Sequence, residues 1–184
     1  ANLINGITGI KPALLVGTAS ASGESNLALF SNVFHVGANP PVLGLIIRPR
    51  PEGTERHTLD NILATGAFTL NHIDEPMLPA AHQTSARYPR GQSEFVATGL
   101  TELWIEGFKA PFVREAPVRL GLSLIDHQQM KINNTYMLLG AIRWLHCPDS
   151  GVREDGSVDL INVGSHGVCG LDSYHGPSEG QRFA

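Results

Sequence analysis

Residues 42–64 read VLGLIIRPRPEGTERHTLDNILA, and the order of apolar and polar residues in this stretch predicts its local structure. Its first six residues are a continuous apolar run of strand length, which is typical of a buried strand. Its last seven residues predict a short helix, with Thr58 as the N-cap and Gly66 just beyond the end. A loop rich in Arg, Pro and Gly lies between them. The sequence therefore predicts a buried strand, an arginine-rich loop and a short helix in direct succession.

Outward from this stretch, the chain is dominated by short segments with strand patterns. Only one further helix is expected, over residues 75–85, and Pro79 limits its length. Many short strands with two short helices are typical of a β-rich α+β domain, most simply a closed or partly closed antiparallel barrel. The apolar patterns predict strands over residues 11–19, 27–36, 67–73, 118–128 and 135–146, a pairing edge over 93–103 and a weak strand over 158–168.

The composition is unusual in its scarcity of charge. The chain has 184 residues, of which 42% are hydrophobic and only 16% are charged, against about 25% in a typical soluble domain. No stretch approaches the ~20 apolar residues of a membrane span, so no membrane association is expected. The low charge indicates surface that is hidden in a large core or in a subunit interface. A net charge of −4 without blocks of like charge argues against nucleic-acid binding.

The length and the absence of repeats or linkers predict one domain over residues 1–175, followed by a polar tail over 176–184. The N-terminal residues have no basic region followed by an apolar one, so no secretory signal is visible and a cytoplasmic location is expected. Cys147 and Cys169 show no CxxC or zinc spacing.

Several well-known catalytic motifs are missing from the sequence. It contains no GxGxxG after a strand, no Walker-A sequence and no HExxH. Residues 163–167, VGSHG, lack the first glycine of a GxSxG nucleophile elbow. The eight histidines have no i, i+4 pair, so no metal site is predicted, and no catalytic side chain is assigned. Any redox or group-transfer chemistry would then belong to a bound cofactor.

The arginine-rich loop is a candidate anion site. Ten of the 13 basic residues are Arg, and the loop between strand and helix carries Arg48 and Arg56 beside His57 and Thr58. Arginine binds phosphate through paired hydrogen bonds, and a helix N-terminus adds free N–H groups and a positive dipole end. A solvated loop balanced by its two glutamates is the alternative. Small polar residues at Asn26, Ser31 and Asn32, set among apolar ones, suit a flat ring with polar edges.

With these residues in view, the chain resembles the flavin reductase-like family, the flavin reductase and flavoprotein oxygenase domain proteins with an FMN-binding split barrel. The resemblance begins with Asn26-Leu27-Ala28-Leu29-Phe30-Ser31-Asn32 and covers nearly the whole chain in order. Its further segments are NPPVLG (39–44), R…RHTLDNI (48–62), FTLN (68–71), AHQTSA (81–86), SEF (93–95), APV (116–118), LG (139–140), DG (155–156) and GLDSY (170–174).

The resemblance implies a six-stranded antiparallel Greek-key split barrel with short flanking helices, assembled as a homodimer with FMN, in preference to FAD, near the interface. Asn26, Leu29, Phe30, Ser31 and Asn32 would line the ring and the ribityl chain. Arg48, Arg56, His57 and Thr58 would hold the phosphate, with Asn61 close behind. His82, Ser85, Ala86 and the neighbouring Tyr88 would belong to a loop that flanks the flavin.

One departure from the family leaves the electron donor open. Many NAD(P)H-dependent relatives have Gly-Asp-His where this chain has Asn133-Asn134-Thr135, and a Glu where it has Ala141. The implied function is an FMN-dependent oxidoreductase, such as a flavin reductase, that passes electrons to a small molecule or a flavin, with NAD(P)H as one candidate donor. The alternatives are a non-catalytic FMN-binding dimer for electron transfer or redox sensing, and a split barrel without flavin.

Overall fold

The computed structural model describes residues 2–49, 57–89, 91–181 and 183. Short strands dominate these ranges, as the sequence patterns predict. The helices are α1 (Asn2–Gly6), α2 (His57–Thr65), α3 (Leu78–Gln83) and α4 (Glu94–Thr98), with 3-10 turns at Glu75–Met77 and Asp149–Gly151. The strands are β1 (Lys11–Pro12), β2 (Leu14–Ala19), β3 (Ser25–Phe30), β4 (Val33–Ala38), β5 (Pro41–Ile47), β6 (Ala67–His72), β7 (Glu102–Leu103), β8 (Phe112–Val113), β9 (Arg119–Gln129), β10 (Tyr136–His146), β11 (Gly167–Cys169) and β12 (Ser173–His175).

The main sheet has seven strands in the order β3-β2-β6-β9-β10-β5-β4, and all of its pairings are antiparallel. Its two edge strands, β3 and β4, are separated in sequence only by Ser31 and Asn32. Three Cα steps span at most about 11 Å, so the two edges must approach each other and the sheet must curl into a barrel. The backbone oxygen of Asn32 accepts a hydrogen bond from Ile46 N–H at 2.9 Å.

The predicted count of six strands agrees with this sheet if β3 and β4 are counted as one strand bent at Ser31-Asn32. Pairings between strands distant in sequence, β2 with β6 and β5 with β10, give the connections of a Greek key. The antiparallel barrel with short flanking helices predicted from the sequence is therefore confirmed.

Strand β2 is buried along its whole length because both of its faces are covered. Leu14 and Val16 belong to one core cluster, together with Ile62 of α2 and Phe68 of β6. Leu15 points to the other cluster, where the flanking helices cover the outside of the barrel wall. Two-sided burial explains why Leu14, Leu15 and Val16 are apolar in succession rather than alternating with polar residues.

Two segments differ from the sequence prediction. The pairing edge expected over 93–103 is wrong over most of its length, because its first half forms α4. That helix ends at Gly99, whose φ of 74° is in the left-handed region typical of helix C-termini, and only Glu102–Leu103 pairs as a strand.

The weak strand expected over 158–168 is also wrong except at its last two residues. The Asp159 carboxylate accepts hydrogen bonds from the N–H groups of Ile161 and Asn162, which stabilises a turn in place of an extended chain. Three more segments are divided where the sequence predicts a continuous element. The strand expected over 27–36 is divided at Ser31 and Asn32 into β3 and β4. The first strand is interrupted at Ala13, where the chain passes from β1 to β2, and the helix expected over 75–85 consists of a 3-10 turn followed by α3.

His72, at the end of β6, anchors the long segment that follows β10. Its Nδ1 lies 2.7 Å from Ser165 Oγ, and the neighbouring His166 N–H donates to the Ile73 oxygen at 2.9 Å. Ser165 is therefore a structural partner of a histidine, in a turn that leads into the small antiparallel sheet β1-β11-β12 rather than into a helix. Burial lowers the pKa of His72 from 6.5 to about 4, so the ring is neutral at physiological pH.

The buried neutral His72 predicts acid sensitivity. Between pH 6.5 and 4 the unfolded chain binds a proton at this residue and the folded chain does not, so the free energy of unfolding decreases as the pH falls through this range. The contribution is at most about 3 kcal/mol. Urea unfolding at several pH values should show a shallower decrease for His72→Gln than for the wild-type protein. The exposed His35→Gln variant is the control and should follow the wild type, and parallel curves for all three proteins would contradict the assignment.

Candidate functional site

A cavity of about 890 Å³ lies between β3 and the segment that follows α3. This volume is in the range of roughly 300–1,000 Å³ that is usual for small-molecule and cofactor sites. One wall is β3 with Ser31 and Asn32, and the opposite wall is residues 84–89. Its remaining lining residues come from the end of β5, the start of α2, the start of α4 and the turn between β11 and β12; they are Ile46, Arg48, His57, Thr58, Glu94 and Leu171.

The backbone of β3 points polar groups away from the sheet along this cavity. Leu27 N–H donates to Glu94 Oε2 at 2.9 Å, so Leu27 points its backbone groups away from β2, its neighbour in the sheet. Outward-pointing residues alternate along an antiparallel edge strand, so Leu29, two positions further, also points its N–H and C=O away from β2. Leu29 lines the cavity. A flat ligand with donors and acceptors on its edge can therefore pair with this strand.

A buried hydrogen-bond network fixes the start of α2 against the barrel. Asn26 Nδ2 donates to Thr58 Oγ1 at 3.1 Å and to Thr18 Oγ1 at 3.3 Å. Asn61 Nδ2 also donates to Thr18 Oγ1, at 3.1 Å. All four side chains are buried, so each hydrogen bond replaces water that the groups have lost. The network holds the first turn of α2, the positive end of the helix dipole, at the wall of the cavity.

The cavity carries more positive than negative charge. Arg48 and Arg87 contribute two guanidinium groups, and His57 lies at the start of α2. Among the described residues of the lining, the one carboxylate is that of Glu94. Burial raises the pKa of Glu94, while its hydrogen bonds from N–H groups and the nearby charge of His57 oppose this rise. The arrangement favours a ligand with an anionic end.

Eleven of the fourteen residues selected from the sequence line this cavity. They are Asn26, Leu29, Phe30, Ser31, Asn32, Arg48, His57, Thr58, Ser85, Ala86 and Tyr88. Asn61 lies behind the wall in the buried network, and His82 does not line the cavity, because its Nδ1 faces the Tyr174 hydroxyl at 2.9 Å. Arg56 lies outside the described residues.

Sequence reasoning gave no role to Glu94, Arg87 or Leu171, which also line the cavity. Glu94 and Leu171 belong to segments that carry the family resemblance, so a signal was present, but nothing in the sequence shows that these segments meet β3. A buried glutamate next to a strand with unpaired backbone groups is visible only in three dimensions.

The whole of this barrel falls within one known domain. Residues 10–166 match the family model of the flavin reductase like domain. The chain belongs to this family. Among curated relatives, an uncharacterized protein of Halalkalibacterium halodurans is 33% identical over 110 residues, which are 60% of this chain and 53% of that protein. The match thus spans about half the length of this relative.

Solved structures show the same split barrel. A split barrel domain protein of Shewanella frigidimarina NCIMB 400, which carries the name flavin reductase, is 41% identical, with a TM-score of 0.95 over 100% of this chain and 90% of that one. The flavoredoxin of Desulfovibrio vulgaris is 24% identical, with a TM-score of 0.80 over 95% and 91% of the two chains. An FMN-binding protein of Thermus thermophilus is 16% identical, with a TM-score of 0.78 over 96% and 90%. At the identities of the last two proteins, 24% and 16%, the similarity shows a shared fold alone.

Two features are absent from the described ranges. No group of three or more His, Cys, Asp or Glu side chains there is placed to hold a metal ion. No helix in the same ranges is long and apolar enough to cross a membrane.

The segment that departs from the family pattern forms a tight turn. Asn134 has a φ of 56°, and its N–H donates to the Met130 oxygen at 2.8 Å, which closes the connection between β9 and β10. Asparagine is one of the few residues other than glycine that adopt this backbone conformation readily. Neither this turn nor Ala141 lines the cavity.

Thr18 is the centre of the network behind the cavity, because its hydroxyl accepts from both Asn26 and Asn61. The Thr18→Val variant keeps the size of the side chain but leaves the Asn61 amide without this acceptor and Asn26 with only Thr58. We expect a loss of about 1–3 kcal/mol in the free energy of unfolding, measured with urea. The exposed Thr101→Val variant should change it by less than about 0.5 kcal/mol. Equal stabilities of the two variants would contradict the role given to the network.

Proposed function

We propose that the protein is a flavoprotein oxidoreductase that binds FMN in this cavity and uses it to accept electrons and pass them to a second, small-molecule or flavin substrate. The proposal rests on one observation, that two different surfaces meet in one cavity. One is the free edge of β3, which suits a flat ring, and the other is the cationic corner with Arg48 and the first turn of α2, which suits a phosphate. FMN has both parts.

The residues present fit this cofactor. The outward backbone groups at Leu29 can pair with the polar edge of the ring, while Ala28 and Phe30 supply apolar contacts. Arg48, His57 and Thr58 offer a guanidinium, an imidazole and a hydroxyl to the phosphate. The sequence-based assignment of Arg56 to the same phosphate remains a prediction.

When bound, FMN supplies the hydride and electron chemistry, which no side chain can supply. The role of the protein is to orient the ring along β3, to bind the phosphate and to exclude water with residues 84–89. We assign no catalytic side chain.

We also propose that the protein works as a homodimer with the flavin near the interface. The support is a set of large apolar side chains that are exposed in the single chain although the whole sequence is poor in charge. On β4, Phe34 and Val36 are 39% and 47% exposed, and on the paired strands β9 and β10, Ile125 and Leu145 are 50% and 61% exposed. Burial of such residues against a second copy would account for them.

An electron-transfer or redox-sensing module is the second candidate function. It is favoured by the turn at Asn133-Asn134-Thr135, where nicotinamide-dependent relatives carry a different sequence. The fold shared with a flavoredoxin is compatible with this alternative.

The experiment that separates these functions starts from the purified full chain incubated with FMN, FAD and riboflavin. We expect a bound-flavin absorbance spectrum with FMN and a particle mass of two chains by light scattering. Bleaching of this spectrum by NADH or NADPH in the absence of oxygen would support a reductase. Bound FMN that neither nucleotide reduces would support the electron-transfer alternative, and a protein that binds none of the three flavins would overturn the proposal.

The phosphate contact is tested by the Arg48→Ala variant. Loss of a charge-assisted hydrogen bond costs about 1.5–3 kcal/mol, so we expect FMN affinity to fall roughly tenfold to a hundredfold while riboflavin affinity stays nearly constant. Titration of the flavin fluorescence measures both. The exposed Arg143→Ala variant on β10, which does not line the cavity, is the matched control. Equal losses for the two flavins would show that Arg48 does not contact the phosphate.

A further inference from the structure

Arg48 is tied to a part of the chain that plays no role in the proposed cavity. Its Nη2 donates to Asn5 Oδ1 of α1 at 2.9 Å, across 43 positions of sequence. Arg48 lines the cavity in the same conformation. An exposed arginine loses considerable side-chain entropy when it is held by a ligand, so a second contact that orders it in advance reduces the cost of binding.

Helix α1 is placed so that Asn5 can make this contact. Asn5 and Gly6 are its half-buried residues, while Leu3 and Ile4 are exposed. The Asn5 backbone oxygen accepts a hydrogen bond from Lys11 Nζ at 3.2 Å, which ties the helix to β1. Strand β1 in turn pairs with β11. Asn5 thus contacts Arg48 through its carboxamide and β1 through its backbone oxygen.

The chemistry of the amide matters as much as its position. An Asn oxygen is an uncharged acceptor that uses one of the five N–H donors of the guanidinium. It orients the group and leaves its full positive charge and its other donors for an anion. A carboxylate at the same place would form an ion pair with Arg48 and would compete with a phosphate for it.

We propose that Asn5 is a positioning residue that holds Arg48 at the wall of the cavity and so raises the affinity for the phosphate-bearing flavin. This inference rests on the proposed function, in which Arg48 contacts the phosphate. It adds α1, a segment outside the cavity wall, to the determinants of the preference for FMN over flavins without a phosphate.

The test compares the dissociation constants of FMN and riboflavin for three variants of the full chain. Asn5→Ala should weaken FMN about threefold to tenfold and leave riboflavin within about twofold. Asn5→Asp should weaken FMN more than Asn5→Ala, because the new carboxylate neutralises Arg48. Asn2→Ala changes an exposed residue of the same helix and should alter neither constant.

A double-mutant cycle shows whether Asn5 acts through Arg48. In the Arg48→Ala background, Asn5→Ala should have no further effect on FMN, whereas a general structural effect of Asn5 would persist. Equal weakening of both flavins by Asn5→Ala, additive effects in the cycle, or wild-type FMN affinity in both Asn5 variants would overturn the inference and leave the proposed function standing. If the wild-type protein binds FMN no more tightly than riboflavin, the phosphate site itself is wrong, and the inference falls with it.

Discussion

The closure of the barrel through two residues is the constraint on which the rest of the molecule depends. The chain leaves one edge of the sheet at Phe30 and joins the other edge at Val33, so the edges must meet around Ser31 and Asn32. They meet without a hydrogen-bonded pairing between β3 and β4, and β3 therefore keeps its outer row of backbone groups. An open edge of this kind usually invites aggregation. Here it becomes the wall of a cavity, covered by α4 at one end and by residues 84–89 along its length.

The same constraint determines where charge can lie. Strand β5 pairs with β4, so the end of β5 and the arginine that follows it are brought to the place where β3 turns into β4. Helix α2 is fixed to the other side of β3 through Asn26 and Thr58. The cationic corner of the cavity is thus built from the end of β5 and the start of α2, two consecutive elements of the chain that both come to lie beside β3.

The sequence predicts these parts unevenly, and the reason is physical. Apolar periodicity identifies strands that are covered by the core, such as β5 and β6, because burial constrains every residue in them. It fails at 93–103 and 158–168, where local hydrogen bonds and a left-handed glycine decide the backbone conformation. The cavity residues on β3 and at the start of α2 can be identified from the sequence because they lie in continuous segments. Glu94 and Asn5 cannot, since each reaches its partner across the fold, 67 and 43 positions away.

The net charge of −4 says little about the ligand of such a cavity. At physiological ionic strength, charges further apart than about 8 Å are largely screened, so an approaching anion responds to the groups that line the site. In the described part of the lining, those groups are two arginines, a histidine at a helix N-terminus and one buried carboxylate. Burial raises the pKa of this carboxylate, Glu94, which accepts a hydrogen bond from the β3 backbone. Against this background, an amide beside Arg48 preserves the positive charge, whereas a carboxylate there would bring the local balance close to neutral. In a chain with so few charged residues, the choice between Asn and Asp at a single position can decide whether the cavity attracts an anion.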